Sequence, residues 1–147
     1  MNQDFVDLLC AFIDHEVRFL VVGAYALGVH GRPRATGDLD VWVEATPENA
    51  VRVMRALAGF GAPLEQVTTD DFARPGIVFQ MGVPPRRIDI LTALSGITFA
   101  DAWPFRLRAP FGPISVDVLG RDDFIANKRA AGRAKDLADI EALGSPD

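Results

Sequence analysis

Gly23-Ala24-Tyr25-Ala26-Leu27-Gly28-Val29-His30-Gly31-Arg32-Pro33-Arg34-Ala35-Thr36-Gly37-Asp38-Leu39-Asp40-Val41-Trp42-Val43 is the stretch whose reading decides how this chain folds. Its end places two carboxylates one residue apart at the start of an apolar, β-branched run, directly after a glycine. In a strand, residues two apart share a face and lie about 7 Å apart along the backbone. Asp38 and Asp40 therefore occupy one face, while Leu39, Val41 and Val43 line the other and enter the core. That alternation marks a strand rather than a helix. Oxygen ligands on a rigid strand suit a hard divalent cation such as Mg²⁺ or Mn²⁺, which takes a few carboxylates and completes its shell with water and phosphate oxygens.

Working outward, Arg87-Ile88-Asp89-Ile90-Leu91 holds a third aspartate in an alternating apolar strand. On a neighbouring strand, Asp89 could ligate the same cation and also take the proton of an attacking hydroxyl. Asp38, Asp40 and Asp89 are thus the candidate catalytic and metal-binding set. Upstream, Arg18-Phe19-Leu20-Val21-Val22 reads as a buried strand that stops at Gly23. A strand–glycine–helix junction offers backbone N–H groups to an anion, and Gly23 lets a phosphate approach without a side chain in the way. The plainer alternative is an ordinary strand-to-helix turn. The spacing from Gly23 to Gly28 imitates the start of a P-loop, but Val29-His30 stands where Lys-Ser/Thr is required, which excludes that reading. Arg34, just before the carboxylates, suits a phosphate clamp. Thr36 either contacts nucleotide or bonds its own backbone in the loop.

Taken together these residues resemble the nucleotidyltransferase-like superfamily of DNA polymerase beta, whose signature is a Gly-Gly or Gly-Ser turn, then Asp-x-Asp, then a later single aspartate. The chain is most similar in pattern to small bacterial abortive-infection proteins of the AbiEii type, through the stretch quoted above and through Asn127-Lys128-Arg129-Ala130-Ala131-Gly132-Arg133-Ala134-Lys135-Asp136-Leu137-Ala138-Asp139. The resemblance spans residues 18 to 143. It departs at Ala24, where the usual second glycine or serine is replaced and only the backbone N–H is left to meet a phosphate. The resemblance implies transfer of a nucleoside monophosphate from an NTP to a hydroxyl acceptor, with Mg²⁺ or Mn²⁺ as cofactor. The acceptor would be a tRNA end, a protein or a small molecule, and an antitoxin partner is a further implication. It also implies that Lys128, Lys135 and Asp136 on the closing helices face the nucleotide, with Asp136 orienting Lys128 or Arg133 by an ion pair.

Composition sets bounds. A chain of 147 residues fits one domain that buries about 70% of the surface it exposes when unfolded. A formal charge of −5 argues against a generic nucleic-acid binder, although Arg32, Arg34, Arg86, Arg87 and Lys128 to Lys135 supply local positive charge. The single cysteine, Cys10, lies on the apolar face of the first helix and allows no intrachain disulfide. No basic leader segment opens the sequence, and the apolar stretch Phe19 to Val29 is too short to span a bilayer, so the expected location is cytoplasmic with no membrane partner.

Phe5, Leu8, Leu9, Phe12 and Ile13 recur at helical spacing and predict a first helix to about Glu16. Strands are expected at 18–22, 38–44, 77–81, 87–91, 105–109 and 114–118, the last two flanking a turn at Pro110-Phe111-Gly112-Pro113. Thr46-Pro47-Glu48 opens a helix that ends at Gly59 or Gly61. Residues 62–75 read as irregular with a turn near Asp70 to Ala73, and two helices, 121–131 and 133–143, close the chain. Asp117 is read as a solvated strand residue and His30 as a helix-end residue without chemistry. The sum is a single α/β (α+β) domain covering 1–147, a mixed sheet flanked by helices. The competing functional class is a module of the same fold that binds nucleotide or a protein partner with little or no catalysis.

Overall fold

The computed structural model describes residues 2–31 and 37–143. Asn2 caps the first helix, α1 (Gln3–Asp14), by accepting the N–H groups of Asp4 and Phe5. Strand β1 (Phe19–Val22) is buried along its whole length and runs straight into helix α2 (Gly23–Val29). The Asp-x-Asp run becomes β2 (Leu39–Val43). Helix α3 (Pro47–Phe60) begins as its sequence dictates: the Thr46 hydroxyl accepts the Asn49 N–H, and proline occupies the first turn. The remaining elements are α4 (Thr69–Phe72), β3 (Val78–Met81), β4 (Ile88–Leu91), α5 (Phe99–Ala102), a 3-10 turn at Trp103–Phe105, β5 (Leu107–Phe111), β6 (Ile114–Val118), α6 (Arg121–Ala131) and α7 (Ala134–Ala142).

The strands form one mixed sheet in the order β3-β4-β2-β1-β6-β5. β2 lies parallel to β4 and antiparallel to β1, and β1 lies parallel to β6. Pairing of Phe19 with Val43 and of Val21 with Val41 puts these four side chains on one face. Helix α1 covers that face, with the Phe12 ring meeting Phe19 at 5.4 Å, and α1 in turn packs on α3. The opposite face carries Asp40 and Trp42, and there the Trp42 ring meets Phe99 of α5 edge-on at 5.0 Å. Buried Asn49 ties the start of α3 to the sheet: it accepts the Arg18 N–H and donates to the carbonyls of Arg18 and Glu44.

The expected class, a single-domain mixed α/β sheet flanked by helices, is the one observed. Three local expectations differ. β5 continues through Pro110 and Phe111, because β5 is an edge strand and a missing N–H there costs no ladder bond. The turn expected near Asp70 to Ala73 is present but wound as a helix over 69–72, closed by reciprocal capping between Thr68 and Asp71. Asp117 is half-buried, with Arg106 at 3.6 Å and Arg108 at 3.5 Å, rather than simply solvated. Cys10 is partly buried against the core, as its helical position suggested. Among the described residues, no helix is long and apolar enough to cross a membrane.

Candidate active site

Parallel pairing of β2 with β4 sets Leu39 opposite Ile88 and Asp40 opposite Asp89. Two carboxylates from strands far apart in sequence thereby stand side by side on one sheet face. The register has identifiable locks. The Arg87 N–H donates to Asp38 Oδ1 at 3.0 Å, and the Leu39 N–H donates to the Arg87 carbonyl at 2.9 Å. Just upstream, Gly37 packs so closely on Pro85 that a Cβ there would stand 2.7 Å from the Pro85 carbonyl oxygen. Any larger residue would push the Pro84-Pro85 tip, and with it β4, away from the Asp-x-Asp strand.

Gly23 is held by a different constraint. Its φ is +67°, in the left-handed region, and a Cβ on it would collide with the Asp40 carboxylate. The space beside the Gly23 backbone, expected from the sequence to admit a phosphate, is therefore where the Asp40 side chain passes. Ala24 follows in the first turn of α2, which has no side-chain cap.

Electrostatics at the face are asymmetric. Burial is the main reason the Asp40 carboxyl is pushed up from 3.8 to about 6. The neighbouring Asp89 charge and its shared hydrogen bond add to the shift, Asp38 adds less, and Lys128 opposes it. Arg87, by contrast, attends the other two aspartates. Its Nη2 lies 3.2 Å from Asp89 Oδ2 and 3.5 Å from Asp38 Oδ2, and its Nε lies 2.9 Å from Asp89 Oδ1. The Nε contact is off line, so buried Arg87 Nε and Asp89 Oδ1 both lack a true hydrogen bond.

A cleft of about 210 Å³ is lined by Gly23 and Asp40, by Lys128 of α6 and Arg133 at the start of α7, and by Leu94 and Ser95 from the loop after β4. The Asn127 side chain donates to the Ser95 carbonyl at 3.0 Å, joining the loop after β4 to α6. Lys128 Nζ lies 3.2 Å from Asp136 and 3.3 Å from Asp139, both buried on α7. Arg133 adds a two-pronged contact to Asp136, at 2.6 Å and 3.1 Å. That contact first, and Lys128 second, hold the Asp136 carboxyl down at about 2. A larger hollow between the start of α1 and Arg86 is lined by Asn2, Tyr25 and Pro85, and none of the three aspartates reaches it.

Of the residues singled out in the sequence, Gly23, Asp40 and Lys128 meet at the cleft, with Asp89 beside Asp40 and Asp136 behind Lys128. Lys135 is exposed on the first turn of α7 and lines no part of the cleft. Arg34 and Thr36 lie outside the described residues. His30 Nε2 donates to the Leu119 carbonyl, 2.7 Å away, joining the end of α2 to the strand end of β6. Two residues were not assigned roles from sequence. Asp139 stands three after Asp136 and so shares its helix face, a spacing that a solvated face shows equally well. Arg87 stands two before Asp89 and so on its face, but nothing in the sequence separates a paired arginine there from a solvated one.

The donor set admits a cation in part. Asp40 and Asp89 are adjacent like charges, and Asp89 Oδ1 is a buried oxygen without a hydrogen bond, so a divalent ion between them would relieve both. Asp38 is instead engaged by Arg87, and among the described residues no three His, Cys, Asp or Glu side chains are already arranged as a metal-binding group.

No family model and no curated protein sequence matches the chain. In three dimensions it is similar to the crystal structure of a "putative nucleotidyltransferase" from Thermotoga maritima. The TM-score is 0.59 at 13% identity, over 97% of this chain and 92% of that one. The chain therefore has the nucleotidyltransferase-like α/β fold.

Proposed function

We propose that this protein is a metal-dependent nucleotidyltransferase that transfers a nucleoside monophosphate from an NTP to a hydroxyl acceptor. The observation that carries the reading is the in-register pair Asp40–Asp89, with Asp38 alongside, in a nucleotidyltransferase-like fold where Asp40 shares a cleft with Lys128. Asp40 and Asp89, joined by Asp38 once Arg87 yields it, would hold Mg²⁺ or Mn²⁺. When bound, such an ion supplies neutralisation of the triphosphate and of charge developing on the leaving oxygens.

The chain's own residues do the rest. Lys128, held by Asp136 and Asp139, presents its ammonium to the phosphate side of the cleft, and Arg133 is close enough to join it. The coupled Asp40–Asp89 pair accepts the proton of the acceptor hydroxyl, and the assignment belongs to the pair rather than to either carboxylate. The hydroxyl oxygen then bonds to the α-phosphorus, the bond to the bridging oxygen breaks, and pyrophosphate leaves. Positioning and charge neutralisation account for most of the acceleration in chemistry of this kind. The acceptor class stays as the sequence framed it: a tRNA end, a protein hydroxyl or a small molecule, with a toxin–antitoxin or abortive-infection setting as part of the proposal.

A second reading has its own observation. Arg87 already balances two of the three carboxylates, as expected of a module that keeps the fold and binds nucleotide or a partner without efficient catalysis. One experiment separates the two. α-³²P-labelled NTPs are incubated with Mg²⁺ or Mn²⁺ and a bacterial lysate, which is then split into RNA, protein and small-molecule fractions. The expected result is label in one fraction that is lost with Asp38→Ala/Asp40→Ala. Label in no fraction, with NTP binding retained, overturns the transferase in favour of the binding module.

A further inference from the structure

We propose that Arg87 is the internal counter-cation of the carboxylate face, and that a divalent ion binds there by exchange with it. The inference rests on the metal-dependent reading above and deepens it, making the release of the carboxylates by Arg87 the step that sets cation affinity. Arg87 stands two residues before Asp89 and so projects on the same face. Its guanidinium reaches both Asp89 oxygens and Asp38, whereas Asp40 is left to Asp89 and the more distant Lys128. One unit of positive charge is thus set against three carboxylates, where a divalent ion would supply two.

The fit of the arginine is that of a replaceable occupant. Only the Nη2 bond to Asp89 is aligned. The Nε contact is short but off line, and the Asp38 contact at 3.5 Å is an ion pair without a side-chain hydrogen bond. A locked structural arginine would use its planar fork on one carboxylate with both bonds in line. The side chain is also 31% exposed, so it has a path into solvent, whereas the Asp89 side chain at 10% does not. Asp38 need not lose its place when Arg87 swings away, because the Arg87 backbone N–H still holds Asp38 Oδ1. The main chain at residue 87 fixes the geometry of Asp38, and the side chain sets its charge.

The sign of the consequence separates this role from a scaffolding one. If Arg87 only shaped the site, its removal would loosen the three aspartates and weaken cation binding. If it competes for them, removal tightens cation binding and destabilises the metal-free protein, since Asp38 and Asp89 then lose their counter-charge. Mn²⁺ binding is measured by titration calorimetry, and metal-free melting by circular dichroism, on the wild type, Arg87→Gln, Arg87→Lys and Asp40→Asn. Arg87→Gln is expected to bind Mn²⁺ about tenfold more tightly, the scale of one unit charge removed at close range in a partly solvated site, and to melt lower without metal. Arg87→Lys, which keeps the charge but not the fork, is expected between the two. Unchanged or weaker Mn²⁺ binding by a folded Arg87→Gln overturns the proposal, and if that variant does not fold, the same result for Arg87→Lys does. Binding by wild type that is lost in Asp40→Asn but unchanged on replacing Arg87 overturns this role and leaves the metal reading intact. No Mn²⁺ binding by any folded variant overturns both.

Discussion

At Asp40, burial and two neighbouring carboxylates compete with one lysine for a single proton, and protonation is favoured up to about 6. A carboxyl whose folded value lies above its unfolded one contributes stability that is fully present below 3.8 and is lost as pH rises through about 6. Metal-free protein near neutral pH is therefore working against this residue. Asp40→Asn is expected to raise metal-free stability at neutral pH by on the order of 2 kcal/mol, with the gain vanishing below about pH 4. Thermal melts across that range check it, and no gain at neutral pH would mean that the charge is already compensated. The same substitution should abolish Mn²⁺-dependent NTP binding. Gly23→Ala meets both a left-handed backbone and the Asp40 carboxylate, so a loss of about 2–4 kcal/mol is expected, along with loss of Mn²⁺ binding. Denaturant melts and calorimetry would show it, and a neutral result would mean that Asp40 can move aside. The aspartates were legible as a set because a charge inside an apolar alternation has few reasons to be there. Arg87 was not, because an arginine at a strand's start reads the same whether it is solvated or paired.

The elements that matter most to the cleft are α6 and α7, whose corner is a four-member charge cluster rather than an apolar contact. Asp136 is fully buried and bonded by Arg133 and Lys128, and Asp139 lies beside Lys128. The Asp136 carboxyl, held at about 2 against an ordinary 3.8, contributes stability that is present above 3.8 and is lost as pH falls through about 2. Asp136→Asn is expected to cost about 3 kcal/mol at neutral pH, because it leaves the largely buried Lys128 ammonium without one of its two carboxylates. The difference from wild type should shrink as pH drops toward 2, which melts in acid would reveal. A pH-independent difference would instead make Asp136 a packing residue. The bounds of α6 were legible from its apolar spacing and from Gly132 after it. The burial of Asp136 and Asp139 was not, since their spacing fits a solvated helix face equally well. Likewise α5 was missed because four residues carry no periodicity, and it is Phe99 packing on Trp42 that gives it a place.

For the whole molecule, one continuous core links both faces of the sheet, from Phe12 and Leu57 beneath to Trp42 and Phe99 above. A single core predicts a single cooperative transition. Phe12→Ala is expected to cost about 3–5 kcal/mol. Tryptophan fluorescence, which reports Trp42 beside the site and Trp103, should still change together with far-ultraviolet circular dichroism during unfolding. Separate transitions would mean that the site face melts on its own. By itself the sequence determined the alternation of β2 and β4, the apolar face of α1, the capped start of α3, and the three aspartates as the residues out of keeping with their surroundings. These are local properties, written in periods of two and of about 3.6 residues. Only the tertiary structure decided that Asp40 would stand beside Asp89, that Arg87 would lie across Asp89 and Asp38, and that Lys128 would share the cleft with Asp40 while Lys135 would not. Strand register and helix rotation are settled by packing between segments distant along the chain, which no local period encodes.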